Sequence, residues 1–185
     1  MKVLYKNRWV EVHELSHVMP DGSVNPYTSV KDGTGASVAV MPFRYVKRSL
    51  RDPVIEVLLR REIVPPWLVD SGDPEERILS SLTGMMDHEG ENPVDTAVRE
   101  VYEESGYRVT SDDMLSLGTV HLSKVLESRT HLFAVDVTDL IPDEAPGDGA
   151  GFEEWAESVW CLDMNASPDA LALALRYRLQ RRGYY

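Results

Sequence analysis

Cysteine occurs once, at Cys161, so no disulfide can close within the chain, and neither a disulfide scaffold nor a cysteine-built zinc site is open to it. Long apolar runs are missing too. The longest, Ala170 to Leu175, has six residues, where a membrane-spanning helix needs roughly 20, so no membrane segment is expected. Positive charge is scarce: 19 Lys and Arg stand against 31 Asp and Glu, a net charge of -12. Duplex nucleic-acid binders draw most of their affinity from a basic surface, so a nucleic acid is not the expected partner, and a phosphorylated substrate would need its charge neutralised locally by metal ions or a few placed arginines. Met1 to Val12 carries Lys2, Lys6 and Arg8 where a secretory leader keeps its apolar stretch unbroken. With the single cysteine, this makes the cytoplasm the expected location.

The 185 residues, 43% of them hydrophobic, suffice for one domain with its own core. Val3 to Leu15, apolar on either side of Lys6-Asn7-Arg8, reads as a β-hairpin, and Pro20-Asp21-Gly22 as a turn. Residues 1–32 are accordingly expected to form a β-hairpin region and 33–185 the main domain. Ala36 to Phe43 and Val54 to Glu62 have the length and composition of buried strands, with Arg44 to Asp52 as the loop between them. Met114 to Ser123, Thr130 to Val137 and Glu157 to Leu162 read as further strands. Ser167, as N-cap, and Pro168, at the first helical position, are expected to open a terminal helix that Gly183 closes. The pattern is that of an α+β protein with few helices and many strands.

The most informative stretch runs from Gly84 to Tyr107. Asn92 suits an N-cap, Pro93 the first helical position, Asp95 the first turn and Gly106 the left-handed stop, so the punctuation predicts a helix over Pro93 to Ser105. At 100° per residue, Val94, Ala97, Val98 and Val101 fall on one buried stripe. Glu100, Glu103 and Glu104 gather on another. Like charges at these spacings repel, and in most acidic helices water alone offsets the cost. A hard cation does so as well: Mg²⁺ prefers oxygen, takes one or two protein carboxylates and completes its octahedron with water and phosphate oxygens.

This segment resembles the Nudix box, in which Gly, five residues, Glu and seven residues precede Arg-Glu-U-x-Glu-Glu-x-Gly-U, with U bulky and apolar. Here Glu91 is followed by seven residues and then Arg99-Glu100-Val101-Tyr102-Glu103-Glu104-Ser105-Gly106-Tyr107. The one departure in register is that six residues, not five, separate Gly84 from Glu91. The resemblance implies a Nudix fold, an α/β/α sandwich around a mixed sheet, preceded here by the small antiparallel N-terminal region. It implies Glu100 and Glu104 as metal ligands, Glu103 as a ligand or a group supporting one, and the Gly84 carbonyl as another ligand. Arg99 would orient Glu103, Glu91 would act at the loop-to-helix junction, and Gly106 would end the helix. The implied cofactor is Mg²⁺, with Mn²⁺ as a substitute. A general base would come from the acidic loop after the box, with Glu153 and Glu154 as first choices.

Landmarks at Ala36 to Phe43, Val57 to Arg61, Gly84 to Asp87 and Thr130 to Ala134 are similar to the ADP-ribose and nucleotide-sugar pyrophosphatase branch. Ser80-Ser81-Leu82-Thr83-Gly84 and Ser123-Lys124-Val125 depart from that branch, and Ser128-Arg129-Thr130 looks similar to enzymes that take UDP-sugars. The expected reaction splits a nucleoside diphosphate linked to another group into a nucleoside monophosphate and a sugar phosphate. Arg60, Arg61 and Arg129 are candidates for holding phosphate or ribose, because guanidinium matches phosphate oxygens; surface arginines at strand ends are the alternative. Trp67, Trp155 and Trp160 are either stacking platforms or core. The branch's N-terminal strands imply a homodimer. The competing function is a nucleotide sensor that binds without hydrolysis.

Overall fold

The computed structural model describes residues 1–47, 54–67, 72–73, 75–86, 90–147, 155–162 and 167–184. Ten strands and two α-helices carry the described fold: β1 (Lys2–Lys6), β2 (Val10–Val18), β3 (Val24–Asp32), β4 (Ala36–Val46), β5 (Val54–Glu62), β6 (Ile78–Ser80), β7 (Leu82–Met85), α1 (Pro93–Ser105), β8 (Leu115–Val120), β9 (Arg129–Asp136), β10 (Glu157–Cys161) and α2 (Ala170–Arg181). The first three form an antiparallel sheet of their own: β1 and β2 are the expected hairpin about Lys6-Asn7-Arg8, and β3 extends it into a meander of three strands. The others form one mixed sheet in the order β10-β5-β4-β9-β8, in which only β4 and β9 run parallel. Among the described residues no helix is long and apolar enough to cross a membrane.

Alternation along the strands separates two cores. Ala39, Met41, Phe43, Val57, Leu59, Leu132 and Ala134 point to one face and bury Ala172, Leu175 and Leu179 of α2. Val38, Val40, Leu58, Phe133 and Val135 point to the other and bury Ala97 and Val101 of α1. Each of the Val, Leu, Met and Phe side chains among them contributes roughly 1.5–3 kcal/mol to folding. The result is the helix, sheet, helix sandwich.

A fork in this sheet prepares the site. β4 and β5 pair over Phe43–Val46 and then part. Beyond that point β6 pairs with β5 and β7 with β4. Pro42, which has no N–H to give a ladder, stands in β4 where its partner on that side changes. Ser81 sits at the crossing, 1% exposed, and gives both its N–H and its hydroxyl to Asp169 Oδ2, at 2.8 and 2.6 Å. The other oxygen of Asp169 caps Leu171 N at 2.8 Å. Asp169 is thus the N-cap of α2, and the helix starts two residues later than Ser167-Pro168 suggests. The Ser167 hydroxyl is engaged elsewhere, donating to Leu79 O at 2.7 Å.

The N-terminal sheet is tied to the segment before β9. Val30 N donates to Val125 O and Glu127 N to Val30 O, both at 2.8 Å. Beside these bonds His13, 3% exposed, lies between Glu127 (Nδ1 to Oε1 2.8 Å) and Glu11 (Nε2 to Oε2 3.1 Å), while the Ser29 hydroxyl also donates to Glu127. The Glu127 bond, then the Glu11 bond, raise the pKa of His13 above its ordinary 6.5. Glu127 is lowered below 4.5 by Ser29 first and His13 next, and Glu11 by Lys6 first and His13 next. A raised His contributes fully below 6.5 and loses its share as pH rises through its folded pKa. The lowered carboxylates contribute fully above 4.5 and lose theirs as pH falls through their folded pKa values. The cluster therefore holds best between those limits. His13→Gln is expected to lower the melting temperature most near about pH 5.5 and progressively less towards about pH 8 and above; a deficit independent of pH would contradict the charged clamp.

Candidate active site

Helix α1 forms as its caps dictate. Asn92 Oδ1 accepts from Val94 N at 3.3 Å, Pro93 leads the first turn, and Gly106, at φ 75°, ends the helix with its N–H on Tyr102 O at 2.9 Å. Glu91 is held at this entry, accepting from the Thr96 hydroxyl at 2.7 Å. The buried face departs from the expected stripe. Ala97 and Val101 are fully buried as expected, but Val94 and Val98 are only partly so, whereas Glu100 and Glu104 are 7% and 8% exposed. Carboxylates are rarely buried without charged or polar partners. Their presence here, in place of apolar residues, marks a site where packing gives way to function.

Glu100 lies directly against β7. A Cβ added to Gly84 would stand 1.9 Å from Glu100 Oε1 and 2.0 Å from its Cδ, so only glycine leaves room for this carboxylate. Arg99 Nη1 is shared between Glu100 Oε1 at 2.8 Å and Glu103 Oε2 at 2.9 Å, and Arg99 Nη2 reaches Met85 O at 3.4 Å. The main-chain oxygen of Glu104 accepts from Arg60 Nη1 at 3.1 Å and from the Ser158 hydroxyl at 3.0 Å. The acidic loop docks on the end of the helix: Asp143 N donates to Gly106 O and Gly147 N to Glu103 O, both at 3.0 Å.

Beside Glu100 and Arg99 opens a cavity of about 440 Å³, within the range of small-molecule sites. The strand ends supply Ser37, Thr83, Gly84, Met85 and Thr130 to its wall, and the N-terminal sheet adds Trp9 and Asp32. Ser37 and Thr130 hydroxyls bond each other at 2.9 Å.

The structure brings Gly84, Arg99, Glu100 and Glu103 together and sets Arg60 and Arg61 apart. Arg60 is 5% exposed; its Nη1 donates to the helix end, while its buried Nε has no hydrogen-bond partner among the described residues. Arg61 points to the other sheet face and pairs with Glu157 at 2.9 Å. Arg129 is exposed at the head of β9, next to Thr130. Glu153 and Glu154 lie outside the described residues. A ready cage of three carboxylates is not formed: among the described residues no three His, Cys, Asp or Glu side chains are grouped to hold a metal. Arg99 stands between two of the acids, and the third is buried. Trp160 is packed in an edge contact with Tyr107 and under Arg44, not in the pocket. Trp9 and Asp32 were not singled out in the sequence, whereas Ser37 and Thr130 entered only within the runs Ala36 to Phe43 and Ser128-Arg129-Thr130. For Trp9 the signal was an aromatic residue beside a hairpin tip rich in cations.

The donor set still suits a hard dication. It is all oxygen, with three carboxylates set against one guanidinium, and Mg²⁺ needs only one or two carboxylates because phosphate and water supply the rest. A mixed sheet thus lies between two helices, with an acid-bearing helix laid along a glycine edge at an open pocket. A family model described as the NUDIX domain matches residues 52–177, and the chain belongs to that family. Nudix enzymes generally work with divalent metal ions. In structure the chain is similar to the crystal structure of an ADP compounds hydrolase, with a TM-score of 0.69 and 18% identity over 100% of this chain and 94% of that one. It is also matched to a MutT/nudix family protein from Enterococcus faecalis, at a TM-score of 0.47 and 19% identity over 68% of this chain and 42% of that one.

Proposed function

We propose that the chain is a Mg²⁺-dependent pyrophosphatase that cleaves a nucleoside diphosphate linked to a sugar, such as ADP-ribose, an ADP-sugar or a UDP-sugar, into a nucleoside monophosphate and a sugar phosphate. The observation that carries this reading is Glu100, seated on the side-chain-free edge at Gly84 and facing a cavity large enough for a nucleotide. When bound, the metal ion supplies charge screening for the diphosphate and a more acidic attacking water. The carboxylates of Glu100, Glu103 and Glu104 provide the negative charge that holds it. Arg99 fixes Glu100 and Glu103 relative to each other by sharing one nitrogen between them. Ser37, Thr83 and Thr130 offer hydroxyls to the substrate, and Arg129 is the residue before Thr130 on β9. The full-length likeness to an ADP compounds hydrolase supports an adenosine diphosphate derivative as the first substrate to try.

The test is a panel of ADP-ribose, ADP-sugars, UDP-sugars, GDP-mannose and dinucleotides with product identification. At least one compound is expected to yield a monophosphate with Mg²⁺ and none with chelator. Ligand-dependent shifts in melting without any product would establish the sensor reading instead. We further propose a division at residues 32/33, with 1–32 as the dimerisation element: Val3, Leu4, Tyr5, Val18, Val24 and Tyr27 of its sheet are exposed. Light scattering is expected to give twice the monomer mass, and a monomer at all concentrations would remove that part of the proposal.

A further inference from the structure

A second, smaller cavity of about 180 Å³ lies in the N-terminal sheet, and its wall is basic in an otherwise acidic protein. Lys6, Arg8 and Lys31 line it against the single carboxylate of Glu11. That carboxylate is already engaged, by Lys6 and by His13 Nε2 at 3.1 Å. Arg8 lies over the Trp9 ring, 4.5 Å from its centroid, and among the described residues no ion pair joins Arg8 or Lys31 to a carboxylate. Lys6 is thus matched by Glu11, Lys31 has only the field of Glu127 to offset it, and Arg8 has no carboxylate partner among the described residues, while the whole chain carries -12. Cations in excess of the carboxylates around a concavity attract an anion, and the surrounding acidic surface sharpens the local contrast.

This cavity abuts the active-site cavity. Trp9 lines both. Behind it Gly33 N donates to Trp9 O at 3.0 Å. Gly33, at φ 40°, leaves space for Met85: a Cβ there would stand 2.0 Å from Met85 Cε, and Met85 is itself wall of the larger cavity. A ligand held by Glu100 and Arg99 therefore has a cationic recess next to it, across one tryptophan.

We propose that Lys6, Arg8 and Lys31 form an anion subsite that takes a phosphate group carried by the substrate in addition to its diphosphate bridge. The preferred substrates are then nucleoside diphosphate derivatives that carry a further phosphate elsewhere. This rests on the pyrophosphatase reading for its substrate, but the anion site is testable without it. In chelator, where the acidic helix repels polyanions, calorimetric titration with tripolyphosphate reads the basic cavity alone. The parent is expected to bind, and the double variant Arg8→Gln, Lys31→Gln to bind at least about 10-fold more weakly with unchanged melting temperature. Both side chains reach solvent and glutamine keeps most of their stems, so the fold is retained. No binding by the parent, or equal binding by the variant, overturns the subsite. In a second arm, kcat/KM is compared for ADP-ribose and ADP-ribose 2′-phosphate; the parent is expected to favour the phosphorylated compound and the double variant to lose that preference. Tripolyphosphate binding that depends on Arg8 and Lys31, with no hydrolysis of any diphosphate, would keep the subsite and remove the pyrophosphatase reading.

Discussion

Glu103→Gln is expected to lower kcat by about 10³-fold, the scale of losing one charge-stabilising group in a reaction of this kind, with the melting temperature moved by no more than a few degrees. The side chain is only partly buried, and among the described residues its one partner is Arg99, four residues earlier on the same helix. Such a pair contributes roughly 0.3–0.5 kcal/mol. Glutamine keeps the shape and loses the charge. Glu157→Gln is the matching control, since it also breaks a surface pair with an arginine, Arg61, but on the far face of β5. Its kcat is expected to stay at the parent value. Two variants that both turn over like the parent would show that the acids of α1 hold no catalytic ion. A kcat lost only in Glu103→Gln, and not restored by raising substrate, would place the defect in the chemical step and not in binding.

Much of this site was legible because it is local. Asn92, Pro93 and Gly106 set the ends of α1 through contacts within a few residues, and the helix spans the expected Pro93 to Ser105. The spacing of Arg99, Glu100 and Glu103 lies on the same helix and needed no tertiary information. What was not legible depended on partners far along the chain. Ser167 and Asp169 are both good caps, and only the distant Ser81 and Leu79 decide which of them opens α2. β3 hides behind Asn25 and Pro26, poor strand residues, and five of its nine positions are exposed, so its pairing with β2 makes the strand and not its own pattern. The buried face of α1 holds the expected Ala97 and Val101 but is wider than the expected stripe, because periodicity assumes that carboxylates face water, whereas Glu100 and Glu104 are buried. The cavity wall is assembled from β4, β7, β9 and the N-terminal sheet, an adjacency that no spacing in the sequence encodes.

Two glycines of the box region should separate catalysis from stability. At Gly84 the backbone is not in the left-handed region, so alanine costs no conformational strain there. The obstacle is the Glu100 carboxylate, whose Oε1, Cδ and Cγ would lie 1.9, 2.0 and 2.4 Å from the new Cβ. A carboxylate at the end of a flexible side chain can swing away, so Gly84→Ala is expected to cost about 1 kcal/mol or less in stability but to lower kcat about 10²-fold or more, by displacing Glu100 from the cavity. At Gly106 the balance is reversed. Its φ of 75° costs a side chain roughly 1–2 kcal/mol, and the new Cβ would stand 2.1 Å from Asp143 O, a backbone atom that cannot turn aside. Gly106→Ala must shift the acidic loop off the helix end and is expected to lose roughly 3 kcal/mol, about 10 °C in melting temperature for a chain of this size. Its folded fraction should retain far more turnover than Gly84→Ala, because the alanine at 106 meets the loop and not Glu100. Were Gly84→Ala instead to melt early and keep its kcat, the close seat of Glu100 on β7 would be packing alone, and the acid that carries the proposed chemistry would have to be sought elsewhere on α1.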